Sequence, residues 1–327
     1  MTVHRVACRE SGVSAVSASP NATDRAFVVA PNRDAPRRRR CQTDCVMHED
    51  DLTARLSSGL RAQMRHSSYG GWQLVVDGTP QSHVDVERPE YLAYEYSRRI
   101  GYVIDALRPG PVTALHLGAG AMSLARYIHH SRPGSRQQVL ELEPELVDLV
   151  RRVAPLPKGA SIRVRYGDAR ETLGKLPAGL LGTVDIVIVD IFAGSRTPGH
   201  VTSVEFYRLL REVLAPQGMV VTNIADGKGL AFARGQLATM EHVFGHAGAI
   251  ADAGLLKGRR FGNIIGVAGT RPEVVDGLPH ELGHELFPSK LVRGEELRRM
   301  LAGAPVITDA TALGSPDPDK RTFEARS

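Results

Sequence analysis

Asp190 closes the apolar run VDIVIVD and is followed by a Gly- and Pro-punctuated loop, IFAGSRTP. A carboxylate at the end of a buried strand is costly to desolvate unless it is paired or put to use. Three further groups stand at the ends of preceding apolar runs. Gly118-Ala119-Gly120 follows VTALHL and permits close backbone approach of a ligand. Glu141 and Glu143 follow QQVL, and either can accept hydrogen bonds from a ribose diol; the alternative is a solvated strand-end acid. Gly167-Asp168-Ala169 follows SIRVRY, its acid placed either for an adenine amino group or as the N-cap of the next helix.

Such groups need a scaffold that gathers strand ends, and the chain between 112 and 226 supplies the pattern of one. Apolar runs VTALHL, QQVLEL, SIRVRY, TVDIVIVDIF and GMVVTNIA alternate with helical periods MSLARYIHH, ELVDLVRRVA, a short helix around 170–176, and EFYRLLREVLAP. Strands alternating with helices specify an α/β fold with a doubly wound, mostly parallel sheet. Ligands of such sheets bind beyond the carboxyl ends of the strands, where the strand order reverses. HAGAIADAG and FGNIIGVAG are expected to add antiparallel edge strands. Ahead of the sheet, YGGWQLVVDGTPQSHVDV (69–86) reads as a β-hairpin turning at Asp77-Gly78, and a helix is expected from about Pro89 to Leu107. The reading divides the chain into a disordered extension (1–60), a hairpin plus helix (61–108), a nucleoside-binding domain (109–270) and a Pro-rich, partly ordered tail (271–327) with a short helix near 294–302.

Composition agrees with an ordinary globular chain: 327 residues, 42% hydrophobic and 24% charged. Arg37 to Arg40 lie in the Ser-, Ala- and Arg-rich first stretch and inflate the net charge of +5, so a nucleic-acid partner is not expected. The first stretch lacks the apolar core of a secretory signal and no long apolar run occurs, so a cytoplasmic location and no membrane partner are expected. The three cysteines all precede residue 46 and offer neither a disulfide framework nor, with His48, a metal knuckle. HELGH (280–284) matches the H-E-x-x-H zinc pattern, but Pro288 leaves barely two helical turns, so no metal is expected. Trp72 is expected to fill an interface, and Lys257, Arg259 and Arg260 to form a solvated loop.

The spacing of glycine loop, ribose acid, G-D-A and V-D resembles a class I S-adenosylmethionine-dependent methyltransferase fold, which is Rossmann-like. A dinucleotide site would want a third glycine at or near Leu124, where larger residues stand. With YGGWQLVVDGTPQ ahead of LELEP, YGDA and VIVDIF, residues 65–225 resemble the spermidine synthase (polyamine aminopropyltransferase) family. The resemblance implies aminopropyl transfer from decarboxylated S-adenosylmethionine to a putrescine-like amine. It places Gln81 in the active site, Glu141 or Glu143 at the donor ribose, Asp168 at the adenine and Asp190 in the catalytic role. Tyr91 or the AYEY stretch (93–96) would answer the family's Y-H-E, and a homo-oligomer would be usual.

Three departures mark a divergent branch. The family's GGGDGG loop reads GAGAMS, with Ala121 in place of the acid that holds the aminopropyl donor. The second acid after strand four is missing from DIFAGSRTP, and Y-H-E has only approximate counterparts. These leave two alternatives: a methyltransferase using intact S-adenosylmethionine, and a non-catalytic binding protein on the same fold.

Overall fold

The computed structural model describes residues 48–279, 281–282 and 289–317. Thr53–Arg55 (β1), Arg61–His66 (β2), Trp72–Val76 (β3) and Thr79–Val84 (β4) form a four-stranded antiparallel sheet in sequential order. The expected hairpin is β3–β4, with φ 45° at Asp77 and 78° at Gly78, the two left-handed positions of a tight hairpin turn. The preceding strands were hidden by polar composition. Leu56, Ala62 and Met64 nevertheless bury against Leu146, Leu149 and Val150, so ordered structure begins before residue 60. The rest of the expected extension lies outside the described residues, as do the three cysteines and Arg37 to Arg40.

After the helix Glu95–Ala106 (α1), the chain winds a mixed sheet from Thr113–Leu117 (β5), Arg136–Glu141 (β6), Ile162–Tyr166 (β7), Val184–Val189 (β8) and Leu214–Asp226 (β9). Their crossover helices are Ser123–Ser131 (α2), Pro144–Val153 (α3), Ala169–Leu173 (α4) and Val204–Val213 (α5). Then follow Ala231–Phe244 (α6), His246–Asp252 (β10), Ala253–Leu256 (α7), Gly262–Gly269 (β11), Pro272–Asp276 (α8), Glu281–Leu282 (β12), Ser289–Arg293 (β13) and Gly294–Leu301 (α9). The order across the sheet is β12-β13-β10-β11-β9-β8-β5-β6-β7, with β9, β8, β5, β6 and β7 parallel. Val187 and Val189 of β8 enter one core with Phe206, Tyr207 and Leu237, while Ile186 and Ile188 enter the other with Ile100, Ile104 and Ile128. A strand covered on both faces is apolar throughout, which is why VDIVIV shows no alternation.

Four sequence expectations need correction. The first helix begins at Glu95 rather than Pro89: Tyr94 is extended (φ −87°, ψ 142°), and the Arg98 guanidinium holds the carbonyls of Leu92 and Ala93. β10 and β11 are antiparallel as expected but are not edges, because β13 pairs with β10 outside them. The described tail residues carry more than the one short helix expected near 294–302, which is α9: β13 precedes it, and a segment after it returns to the domain. Lys257 and Arg259 are exposed as expected, but Arg260 is only partly so; it pairs with Asp252 and, at 3.3 Å, with Glu95, beside the fully buried Arg99. Trp72 is half-buried, stacks on His66 at 4.1 Å and packs on the apolar cluster beneath the first sheet. Of HELGH, Glu281–Leu282 pairs as strand with β13, and the remainder lies outside the described residues.

Candidate active site

The chain runs outward from β5 to β6 and β7, then crosses back to β8 and β9, so the strand order reverses between β5 and β8. The Asp190 amide donates to the Leu117 carbonyl at 2.9 Å, which sets the ends of these two strands side by side. Gly118 adopts φ 94°, and a Cβ there would stand 2.3 Å from the Asp190 carbonyl oxygen, so only glycine allows the approach. Over this switch point lies a cavity of about 230 Å³. Gly118, Gly120, Gln81, Glu141, Glu143, Asp168 and Asp190 all line it. Tyr91 does not line it. Its ring meets His83 edge-on at 5.9 Å and carries the Arg88 guanidinium 4.8 Å from its centroid.

The tyrosine that does reach the cavity is Tyr96, from the AYEY stretch, on the first turn of α1. Its hydroxyl donates to the Gln81 carbonyl at 3.4 Å and neighbours the Asp190 carboxylate. Burial pushes the Tyr96 phenol well above its ordinary range, and the neighbouring Asp190 charge adds to this. Asp190 also accepts a 2.8 Å bond from Asn223 Nδ2 on β9, and Asn223 Oδ1 in turn accepts from Asn263 Nδ2 on β11 at 2.9 Å. Burial raises the Asp190 carboxyl above the usual carboxylate range, against the opposing bonds from Asn223 and Tyr96.

A bulge explains how the hairpin serves the site. Ser82 pairs with Leu74 and Pro80 with Val75, which leaves Gln81 as the extra residue of β4. An extra residue re-aims its neighbours, and consecutive Gln81 and Ser82 both line the cavity. Gln81 Nε2 donates to the Gly194 carbonyl at 2.8 Å, tying β4 to the loop after Asp190. Ser82 packs on Gly120, and its Oγ lies 3.2 Å from Ser123 Oγ at the start of α2.

The other acids are anchored by main chain. Glu141 accepts from the amides of Ala119 (2.7 Å) and Glu143 (3.0 Å); burial raises its carboxyl and those amides oppose the rise. Glu143 is buried and turns toward the Ser58 amide at 3.2 Å, fastening the first sheet to α3. Asp168 caps α4 through the Glu171 amide at 3.1 Å and meets His200 Nε2 at 2.8 Å. Burial alone would raise Asp168, yet the Glu171 amide and His200 leave it below the usual carboxylate range. Ala121 sits in the apolar cluster shared by the first sheet and α3, fully buried and outside the cavity lining. His116 on β5 also lines the cavity; burial lowers its pKa to about 4, so it is neutral at physiological pH.

Sequence reasoning missed Ser82, Asn223 and His200, and named Tyr96 only within a four-residue stretch. Asn223 carried a signal: it is a polar residue inside the otherwise apolar GMVVTNIA. Among the described residues no group of three or more His, Cys, Asp and Glu side chains could hold a metal ion, and no helix is long and apolar enough to cross a membrane.

No family model matches the chain. Polyamine aminopropyltransferases of Neisseria meningitidis and Chromobacterium violaceum are 30% and 27% identical over 153 and 151 residues. Each alignment covers 46% of this chain and 56% of the relative, so the chain spans about half the length of the curated relatives it matches. The solved structure of spermidine synthase from Thermotoga maritima shares the fold at 13% identity, with a TM-score of 0.53 over 79% of this chain and 81% of that one. A probable spermidine synthase from Corynebacterium glutamicum is 30% identical, with a TM-score of 0.69 over 79% of this chain and 95% of that one. At that identity and over nearly the whole of that relative, the match shows that the chain belongs to the spermidine synthase family.

Proposed function

We propose that the protein transfers an aminopropyl group from decarboxylated S-adenosylmethionine to an amine acceptor, with Asp190 as the catalytic residue. The observation that carries this reading is the Asp190 carboxylate, held by Asn223 beside Tyr96 in the same cavity as Glu141 and Asp168. Glu141 would take the donor ribose. Its oxygens already hold two amides, but a carboxylate has about four acceptor positions, and Glu143 is turned to Ser58 instead. Asp168, beside His200, would face the adenine, and Gln81 and Tyr96 would border the transferred group.

The chemistry is displacement at carbon. The acceptor nitrogen's lone pair forms a C–N bond to the aminopropyl carbon, the C–S bond breaks, and its electron pair stays on sulfur as a neutral thioether. An amine is mostly protonated at neutral pH and cannot attack in that form. A carboxylate at the reaction centre binds the ammonium, accepts or relays its proton, and holds the nitrogen in line with the leaving sulfur. A carboxyl raised by burial is better matched to that proton than an exposed one.

Ligand-dependent melting tests the reading, since a ligand at about 100 times its dissociation constant adds about 2.7 kcal/mol. Decarboxylated S-adenosylmethionine or methylthioadenosine is expected to give the largest shift, and Asp190→Asn to abolish turnover while retaining nucleoside binding. A larger shift with S-adenosylmethionine or S-adenosylhomocysteine would transfer the assignment to a methyltransferase. No shift with any of the four would leave a binding protein without this chemistry.

A further inference from the structure

The cavity's nucleoside end is built by two separate pieces of chain, the start of α4 with Asp168 and the loop 193–201 with Pro198, His200 and Val201. The segment 304–317, far away in sequence, is bonded to both. Asp309 accepts two bonds from Arg170 on α4, at 2.7 and 2.6 Å, and the same guanidinium donates to the His200 carbonyl at 2.9 Å. Asp309 also accepts from Ser203 Oγ, the N-cap of α5. Six residues on, fully buried Ser315 grips the loop from its other side. Its amide donates to the Thr197 carbonyl at 3.0 Å, and its Oγ accepts from the Thr197 amide at 2.9 Å. Its carbonyl accepts from Arg196 Nε at 2.7 Å. Between these two points the segment lies against Gly199, where an added Cβ would come within 3.1 Å of the Leu313 backbone.

We propose that Asp309 and Ser315 are positioning residues that fix the nucleoside end of the cavity, Asp309 through Arg170 and His200 and Ser315 through Thr197. Neither lines the cavity. Asp309 acts through Arg170, whose guanidinium joins α4 to the carbonyl of the lining residue His200, and Ser315 through Thr197, the neighbour of the lining residue Pro198. The inference rests on the nucleoside assignment above. It adds that donor affinity, rather than acceptor affinity, is set by a segment outside the α/β core.

The test uses the full chain with Asp309→Ala, Ser315→Ala and the conservative Asp309→Glu. Methylthioadenosine binding is measured by calorimetry, and donor and acceptor KM are determined separately. Each alanine variant is expected to weaken nucleoside binding and raise donor KM by about tenfold, with acceptor KM unchanged, and Asp309→Glu is expected to recover part of the loss. Thermal melts run alongside, and the milder Asp309→Asn provides a folded comparison if an alanine variant melts early. Unchanged methylthioadenosine affinity in folded variants would overturn the inference, as would an equal rise in both KM values. A wild-type chain that binds no methylthioadenosine would instead overturn the functional reading, and this one with it.

Discussion

Gly118→Ala separates geometry from chemistry at the switch point. The new Cβ would lie 2.3 Å from the Asp190 carbonyl oxygen. Real Cβ atoms do not approach that closely, so one strand end must retreat by about 1 Å, and a misplacement of about 1 Å can cost about 100-fold in rate. The substitution also forces a non-glycine residue to φ 94°, at about 1–2 kcal/mol. Gly59→Ala is the control. It has φ 86° but nothing within 4 Å of the added atom, so it bears the backbone strain alone. Melting should therefore fall by a few degrees in Gly59→Ala, at about 2–4 °C per kcal/mol for a domain of this size, with turnover unchanged. Gly118→Ala should melt lower still and lose about 100-fold in kcat. The measurements are differential scanning calorimetry and steady-state kinetics at saturating donor. Turnover of Gly118→Ala within about twofold of wild type would refute the idea that the Gly118 contact sets the position of Asp190.

Ala121→Asp should destabilise the fold by about 3 kcal/mol or more, because it leaves an unpaired carboxylate in the cluster of Leu56, Leu74 and Leu146. A melting point that holds, together with tighter donor binding, would instead mean that the side chain reaches the ligand. Tyr96→Phe removes one of the bonds that hold Asp190 ionised against burial, so the Asp190 carboxyl should rise further. On the proposed mechanism catalysis needs the carboxylate, so the acidic limb of kcat should move to higher pH. A limb that stays put or moves down would count against Asp190 as the titrating group.

Legibility in the sequence followed how local each signal was. The strand β8 was readable because a doubly covered strand is apolar almost throughout, and Asp77-Gly78 announced its turn by residue type alone. The strands β1 and β2 were not, since the buried positions there, Ala62 and Met64 of β2 with Leu56 just after β1, are spaced among arginines and serines and make sense only against α3. The strand-end residues Gly118, Glu141, Asp168 and Asp190 were legible by position, because topology gathers strand ends whatever loops follow. Tyr91 and Tyr96 were not separable that way. Which tyrosine faces the cavity depends on where α1 begins, and that is set by Arg98 capturing two loop carbonyls, a contact with no sequence signature. The role of 304–317 was hidden for the same reason: Asp309 and Ser315 act on residues more than 100 positions away.

The four acids of the cavity are not equivalent, and the difference lies in what holds them. Glu141, Glu143 and Asp168 each accept a backbone amide, whose proton is fixed and whose position the fold dictates. Such bonds favour a permanent carboxylate, suited to binding a diol or an amino group or to fastening two elements together. Asp190 is held by side chains, the Asn223 amide and the Tyr96 hydroxyl, with no backbone donor among the described residues. Its partners are neutral, its burial opposes its charge, and the Tyr96 phenol is itself pushed away from ionising. Burial raises the carboxyls of both Asp190 and Glu141, but only at Glu141 do backbone amides oppose the rise. The loss of the family's donor acid at position 121 leaves the balance untouched, because Ala121 belongs to the junction between the first sheet and α3 and not to the cavity. On the proposed function, the departure at position 121 bears on the grip of the donor's amine, whereas the acid missing from DIFAGSRTP lies in the loop next to Asp190 itself.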